Sequence, residues 1–295
     1  MPDADPIHVS DEAVRKLVDE QFPDLAGREL GRRYTLEDQY AMRIGDDYGA
    51  IFPRIAEADE FYERSAALIA GPASAWTFPS SHPIATGLPG HGFPYHWTLV
   101  PWVTASTAGF VPLDGESARP FGQALREVHV ASPSGAPLNP RTGMGLPALR
   151  EEFESLLDVA ARRGALDGHI LHLEAIRTLF ARGVEASGEV KFTWTHGRLE
   201  PRAVLSDQGQ FAGILMWYYF GAGDPAADLG YGANLLSRDM HANYWAGYGT
   251  IDAALGARAD AYQVYATLRY LELEDPFLIR MAWDRLNELE LAREA

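Results

Sequence analysis

Histidine, arginine, glutamate and arginine occupy alternate positions at His196, Arg198, Glu200 and Arg202, and an aromatic run, Met216-Trp217-Tyr218-Tyr219-Phe220, follows them. Together these side chains carry the ingredients of acid/base chemistry. Glu200 or His196 can move a proton, a hydroxyl of Tyr218 or Tyr219 can donate one, and an arginine can stabilise an enolate or a carboxylate. Met216, Trp217 and Tyr219 supply apolar wall, and Arg202 a charge at its edge. Such a mixture suits a largely apolar organic ligand oriented by a few polar groups. Each residue also has a plainer reading. His196 can be a structural loop residue, Arg198 and Glu200 a simple ion pair, and Trp217 to Phe220 a plug. Asp224 and Asp228 are expected to hold the loop and the start of a helix.

The elements that must position this segment follow from periodicity and punctuation. Ser10-Asp11-Glu12 opens a helix with Val14, Leu17, Val18 and Phe22 at helical spacing, and Pro23 ends it. Strands are expected around Leu30 to Thr35, Tyr40 to Ile44 and Ala50 to Phe52, with a turn at Gly45-Asp46-Asp47. Glu57 to Ala70 reads as a helix with Phe61, Ala66 or Leu68, and Ile69 inward. Pro79 to Pro94 reads as loop. Helical patterns then run over Phe121 to His129, Leu146 to Ala165, Asp167 to Ala186, Asp239 to Tyr248, Ala253 to Leu273 and Phe277 to Ala292. His169 and His172 stand three apart on one predicted helix, which is possible metal spacing. With no third ligand nearby they read as ordinary helix residues.

Composition narrows the function classes. The net charge of −16 argues against nucleic acid and anionic membranes as partners, and favours a neutral or cationic ligand. The chain has no cysteine, so disulfides and thiolate chemistry are excluded. No apolar run is long enough to span a membrane. The acidic N-terminus lacks the apolar core of a signal peptide, and a cytoplasmic setting is expected.

The segment from Phe192 to Leu229 resembles the catalytic segment of the aminoglycoside/macrolide phosphotransferase family. The family pattern is roughly W-x-H-G-D-L-H-P-G-N-L-L, a hairpin, then G-x-I-D-F-G and G-D-P-x-x-D-L. His196, Gly197, Leu199, Pro201, Leu205, Gly213, Ile214, Gly223-Asp224-Pro225 and Asp228-Leu229 keep that frame. Phe93 to Val103 resembles the family's strand and interlobe linker. The resemblance covers about Val9 to Leu289. It implies an α+β, two-lobed, protein-kinase-like fold: a sheet-containing N-terminal lobe over 1–100, and a mostly helical C-terminal lobe over 101–295 carrying the segment 192–229.

The same comparison shows where this chain departs. The family's catalytic Asp falls at Arg198, its magnesium-binding Asn at Ala203 and its second metal-binding Asp at Met216. The strand cation falls at Ile51, leaving Glu63, at the family's helical Glu position, without its partner. Glu37 and Asp38 replace a glycine turn that would admit phosphates. Phosphoryl transfer needs a phosphate cradle, hard oxygen ligands for magnesium and a base. Arg198 stays protonated and cannot be that base.

The resemblance with its departures therefore implies a kinase-like protein without nucleotide or metal cofactor. The expected role is a cofactor-independent cyclase, isomerase or lyase acting on a small metabolite in a biosynthetic pathway. Its catalytic candidates are Glu200, Arg198, His196 and Tyr218; its substrate contacts are Arg202, Met216, Trp217, Tyr219, Glu63 and Tyr248. A non-catalytic binding protein and a divergent phosphotransferase are the alternatives.

Overall fold

The structure is a computed structural model that describes residues 7–36 and 38–295. Its described residues form two units. One takes the chain up to Thr104 together with Gly213–Phe220; the other takes Ala105–Ala212 and Gly221–Ala295.

The first unit opens with α1 (Asp11–Gln21), capped by the Ser10 hydroxyl, which accepts from the Ala13 amide at 3.1 Å. Strands β1 (Leu30–Thr35), β2 (Gln39–Ile44) and β3 (Tyr48–Pro53) follow, then α2 (Ala56–Ala73), β4 (Ala85–Gly87) and β5 (Trp97–Pro101). They form an antiparallel sheet in the order β1-β2-β3-β5-β4. Its core face packs on α1. Leu17 and Val18 meet Ile44, Phe52 and Trp97, and the rings of Phe52 and Trp97 stack at 4.9 Å. The short strand β4 lies inside the stretch expected to be loop. Along α2 the inward positions are Tyr62, Ser65 and Ile69, while Phe61 is half-buried.

The second unit contains β6 (Ser106–Thr107), α3 (Ala118–Val128), α4 (Arg150–Asp167), β7 (His169–Leu171) and α5 (Leu173–Glu185). It continues through β8 (Thr193–Thr195), β9 (Val204–Asp207) and β10 (Gln210–Ile214), whose last two residues pass into the first unit. Then come β11 (Gly221–Gly223), α6 (Pro225–Ala233), α7 (His241–Tyr248), α8 (Ala253–Glu272), α9 (Pro276–Glu288) and β12 (Ala292–Glu294). Helix α8 is the central rod, buried along most of its length. Stacked ring pairs, Phe153 on Phe180 at 3.8 Å and Phe121 on Tyr244 at 5.4 Å, tie the surrounding helices together.

Two expectations for this unit need correction. The stretch from Asp167 to Ala186 is not one helix. Gly168 adopts φ +79°, a left-handed conformation that ends α4. His169 then lies on β7, which pairs antiparallel with β12, and His172 precedes α5. The two histidines therefore do not share a helix face. Among the described residues no group of His, Cys, Asp and Glu is arranged to hold a metal. The last helix also stops at Glu288, so that the chain can return as β12.

Candidate functional site

In the second unit, the segment from His196 to Arg202 is a loop between β8 and β9. Asp228 of α6 holds it from below. Its carboxylate accepts from the His196 amide at 2.6 Å and the Gly197 amide at 2.9 Å. His129 Nε2 meets the same carboxylate at 3.1 Å, and His129 Nδ1 meets the Tyr248 hydroxyl at 3.1 Å. Burial of Asp228 would raise its pKa, but His129, then His196 and the Gly197 amide, outweigh it and hold the group below its ordinary value. Asp224, the N-cap of α6, forms a buried two-contact pair with Arg258 of α8 at 2.7 and 3.3 Å. Both aspartates thus anchor the loop and the helix start, as expected of them. His129 and Arg258 were invisible as their partners, because they lie far away in sequence.

The polar candidates on the loop divide into separate contacts. Arg198 Nε pairs with Glu200 Oε2 at 3.1 Å, with both side chains largely shielded. His196 is fully buried, and its Nδ1 accepts from the Arg198 amide at 3.1 Å. Arg202 instead pairs with Asp275, the N-cap of α9, at 2.9 Å near the surface. Tyr248 lies in the His129 chain just described.

Two tyrosines, Tyr231 of α6 and Tyr270 of α8, lie within the electrostatic reach of Glu200. Tyr231 and Tyr270 are raised above the ordinary phenol value by burial, with the Glu200 charge adding to it and Arg269 opposing. Tyr265 is pushed up to about 12, chiefly by burial, with Arg269 opposing. The Tyr270 hydroxyl is buried without a hydrogen-bond partner. The arrangement is a carboxylate–guanidinium pair in the field of neutral phenols.

In the first unit, the aromatic run after β10 is packed rather than open. Trp217 is 2% exposed, stacks on Trp76 at 4.4 Å and donates through Nε1 to the Ile214 carbonyl at 3.2 Å. Phe220 is fully buried against the same indole. Tyr218 stacks on Tyr62 at 5.3 Å with 4° between the planes. Its hydroxyl donates to Asp38 at 2.7 Å. Ile51, Ile55, Met216 and Tyr219 pack against the Tyr62–Tyr218 pair. Trp217, expected as a ligand-facing wall, thus lies in a packed aromatic cluster. Tyr218, expected as a proton donor, has its hydroxyl on Asp38 in this structure. Tyr219 keeps part of its surface beside Phe61. Glu63 lies on the exposed side of α2, as a solvated helix glutamate does. Met216 adopts φ +65°, an uncommon conformation for a side-chain-bearing residue. Glu37 lies outside the described residues.

Residues that would hold a nucleotide and magnesium can be tested against these surroundings. Magnesium takes hard oxygen ligands. Met216 and Ile51 belong to the apolar cluster of the first unit, and Ala203 of the second is fully buried. These positions provide neither a metal ligand nor a phosphate-pairing cation.

The fold itself has clear relatives. The GDP complex of aminoglycoside 2'-phosphotransferase-IIIa superposes with a TM-score of 0.63 at 16% identity, covering 95% of this chain and 98% of that one. The streptomycin–ATP complex of APH(2")-IIa gives 0.59 at 12% identity, covering 96% and 97%. The macrolide 2'-phosphotransferase MphH apoenzyme from Brachybacterium faecium gives 0.58 at 18% identity, covering 95% of each. At these identities the likeness concerns the fold, the kinase-like arrangement expected from the sequence. No curated protein matches the chain. Among the described residues no helix is long and apolar enough to cross a membrane. The family model described as "Phosphotransferase enzyme family" matches residues 23–270, and the chain accordingly belongs to that family.

Proposed function

We propose that this phosphotransferase-family protein binds a small organic molecule and does not transfer phosphate from ATP. The observation that carries the reading is the cluster in which Ile51 and Met216 pack together with Tyr62 and Tyr218. At these two positions the family places a phosphate-pairing cation and a metal-binding carboxylate. Their replacement by partly buried apolar side chains packed against one aromatic pair removes charge and metal ligand together. Asp38, drawn onto Tyr218, adds a negative charge on the strand turn that would have to admit phosphates.

The proposed ligand site is the His196–Arg202 loop with Tyr231, Tyr265 and Tyr270. Structural neighbours include a complex of a phosphotransferase with streptomycin and ATP, and a small-molecule ligand for this chain is in keeping with that. The net charge favours a neutral or cationic one. Glu200 is held by Arg198, and His196 Nδ1 accepts a backbone amide. With both proton movers engaged, the geometry favours binding over catalysis, as in ligand sequestration or a scaffold within a cytoplasmic biosynthetic pathway.

One observation favours a second reading, a cofactor-independent cyclase, isomerase or lyase. The Tyr270 hydroxyl is buried without a hydrogen-bond partner, and a neutral phenol can donate a hydrogen bond that orients a substrate oxygen. In that case Glu200, released from Arg198 by substrate, is the base.

Thermal unfolding with ATP or GTP and magnesium, alone and together, tests the proposal. A ligand that binds the folded state raises the unfolding temperature by mass action. No shift at millimolar nucleotide is expected; a magnesium-dependent rise of several degrees overturns the reading. Glu200→Gln separates the two readings: it abolishes turnover of a cognate metabolite if Glu200 is a base, and only weakens retention if it is a contact.

A further inference from the structure

In the first unit a short segment after α2 forms a clasp on the end of β10. The Ile214 amide donates to the Pro79 carbonyl at 3.1 Å, and the Ile214 carbonyl accepts from the Ser81 amide at 3.1 Å and from Trp217 Nε1 at 3.2 Å. Residues 76–82 thereby hold the start of the aromatic run by its backbone. Side chains reinforce the hold: Trp76 stacks on Phe78 at 5.3 Å and on Trp217 at 4.4 Å, and meets Phe220 at a steep angle. His82 ends the clasp, its ring standing at 81° to the Trp76 indole with centroids 5.6 Å apart.

Within residues 76–82 and 213–220, His82 is the only side chain that changes charge near neutral pH. A neutral imidazole can keep its proton on Nε2, whereas imidazolium must also carry an N–H at Nδ1. His82 Nδ1 is buried and makes no hydrogen bond, so a proton there lacks an acceptor while the ring stays in place. Among the described residues the influences on His82 are burial and the Ser80 backbone, with no charged side chain among them. Burial prevails and holds the imidazole below its ordinary value. Asp38, a carboxylate that does reach the run, meets it at the Tyr218 hydroxyl.

We propose that the contact of His82 with Trp76 is an acid-sensitive latch: protonation of the imidazole releases residues 76–82 from the end of β10 and loosens Gly213–Phe220, while the rest of the chain stays folded. In the open segment water solvates the imidazolium, so the open form binds the proton more tightly than the closed one. Opening therefore increases as the pH falls below about 6.5, the ordinary histidine value, and closure returns above it. The latch uses no residue of the proposed ligand site and stands independently of that reading.

Hydrogen exchange of the full chain, read by mass spectrometry at about pH 7.5 and about pH 5 and corrected for the intrinsic effect of pH on exchange, tests this. The lower value lies above the range in which ordinary carboxylates take up protons. Protection of 76–82 and 213–220 is expected to fall at least about fivefold at the lower pH, while α8 keeps its protection. In His82→Phe, which keeps a ring against Trp76 and cannot titrate, the fall disappears. His82→Gln, polar and equally unable to titrate, gives the same result by a different side chain. Protection in the parent that does not respond to pH overturns the proposal. So does an equal fall in both variants, which assigns the response to another group, or an equal fall in α8, which means that the whole chain unfolds.

Discussion

The Tyr218 hydroxyl donates to the Asp38 carboxylate at 2.7 Å across 180 residues of sequence. This bond latches the aromatic run to the turn between β1 and β2, and the ring beneath it stacks on Tyr62. Tyr218→Phe keeps the stack and removes the latch. Hydrogen bonds to charged groups are worth about 1.5–3 kcal/mol, and a loss toward the lower end is expected in urea unfolding. A variant as stable as the parent means that Asp38 is equally well satisfied without this hydroxyl.

Gly213 adopts φ +142°, and a Cβ there would lie 2.4 Å from the Pro79 carbonyl oxygen. Backbone cannot yield as a flexible side chain does. Gly213→Ala is therefore expected to cost more than about 1 kcal/mol, read as a lower unfolding midpoint. A midpoint unchanged by the substitution contradicts the close approach.

Arg258–Asp224 and Arg202–Asp275, two of the arginine–aspartate pairs of the second unit, should behave very differently. Arg258→Met strands the buried Asp224 and is expected to cost about 3–5 kcal/mol. Arg202→Met breaks a pair with both side chains substantially exposed and should cost about 0–1 kcal/mol. Equal effects in denaturant titration count against the burial assigned to Arg258.

Stability should decline on acidification in two stages. Burial lowers the pKa values of His82 and His241 from the usual 6.5. Their contribution is present above that value and is lost as the pH falls below it, because the unfolded chain then binds the additional protons. Asp228, despite burial, is held below 3.8 by His129 and its other partners. Its contribution is present above 3.8 and is lost as the pH falls through the lower, folded value. Unfolding free energies measured from about pH 8 to pH 3 should show both limbs. His82→Gln with His241→Gln should flatten the first, and persistence of that limb assigns it to other groups.

What could be seen in advance depended on how local the interaction was. Ser10 announced the cap of α1, and strand residues with a Gly45-Asp46-Asp47 turn announced the β2–β3 hairpin. The frame around His196 placed the loop. By contrast, β7 and β12 are three-residue strands that define each other only by pairing: β7 falls inside a stretch expected to be helix, and β12 is not anticipated. On α2, Ile69 is buried as expected, whereas Tyr62 is buried and Phe61 only half-buried, because Tyr218 and Gln39, from distant segments, engage Tyr62. At the candidate site the residue types were legible, whereas the pairing of Arg198 with Glu200 and the engagement of Tyr218 by Asp38 are tertiary choices.

The chain's path through its two units has a consequence for biosynthesis. Gly213–Phe220 belongs with the unit that is otherwise complete by Thr104. A ribosome makes the N-terminal sheet early, yet Tyr62, Gly213's neighbour Pro79 and Trp76 must wait for more than a hundred further residues before their partners emerge. Vectorial synthesis thus cannot finish the first unit before much of the second has been translated, and a fragment cut after Thr104 leaves the aromatic rings of Tyr62 and Trp76 without the stacks that cover them.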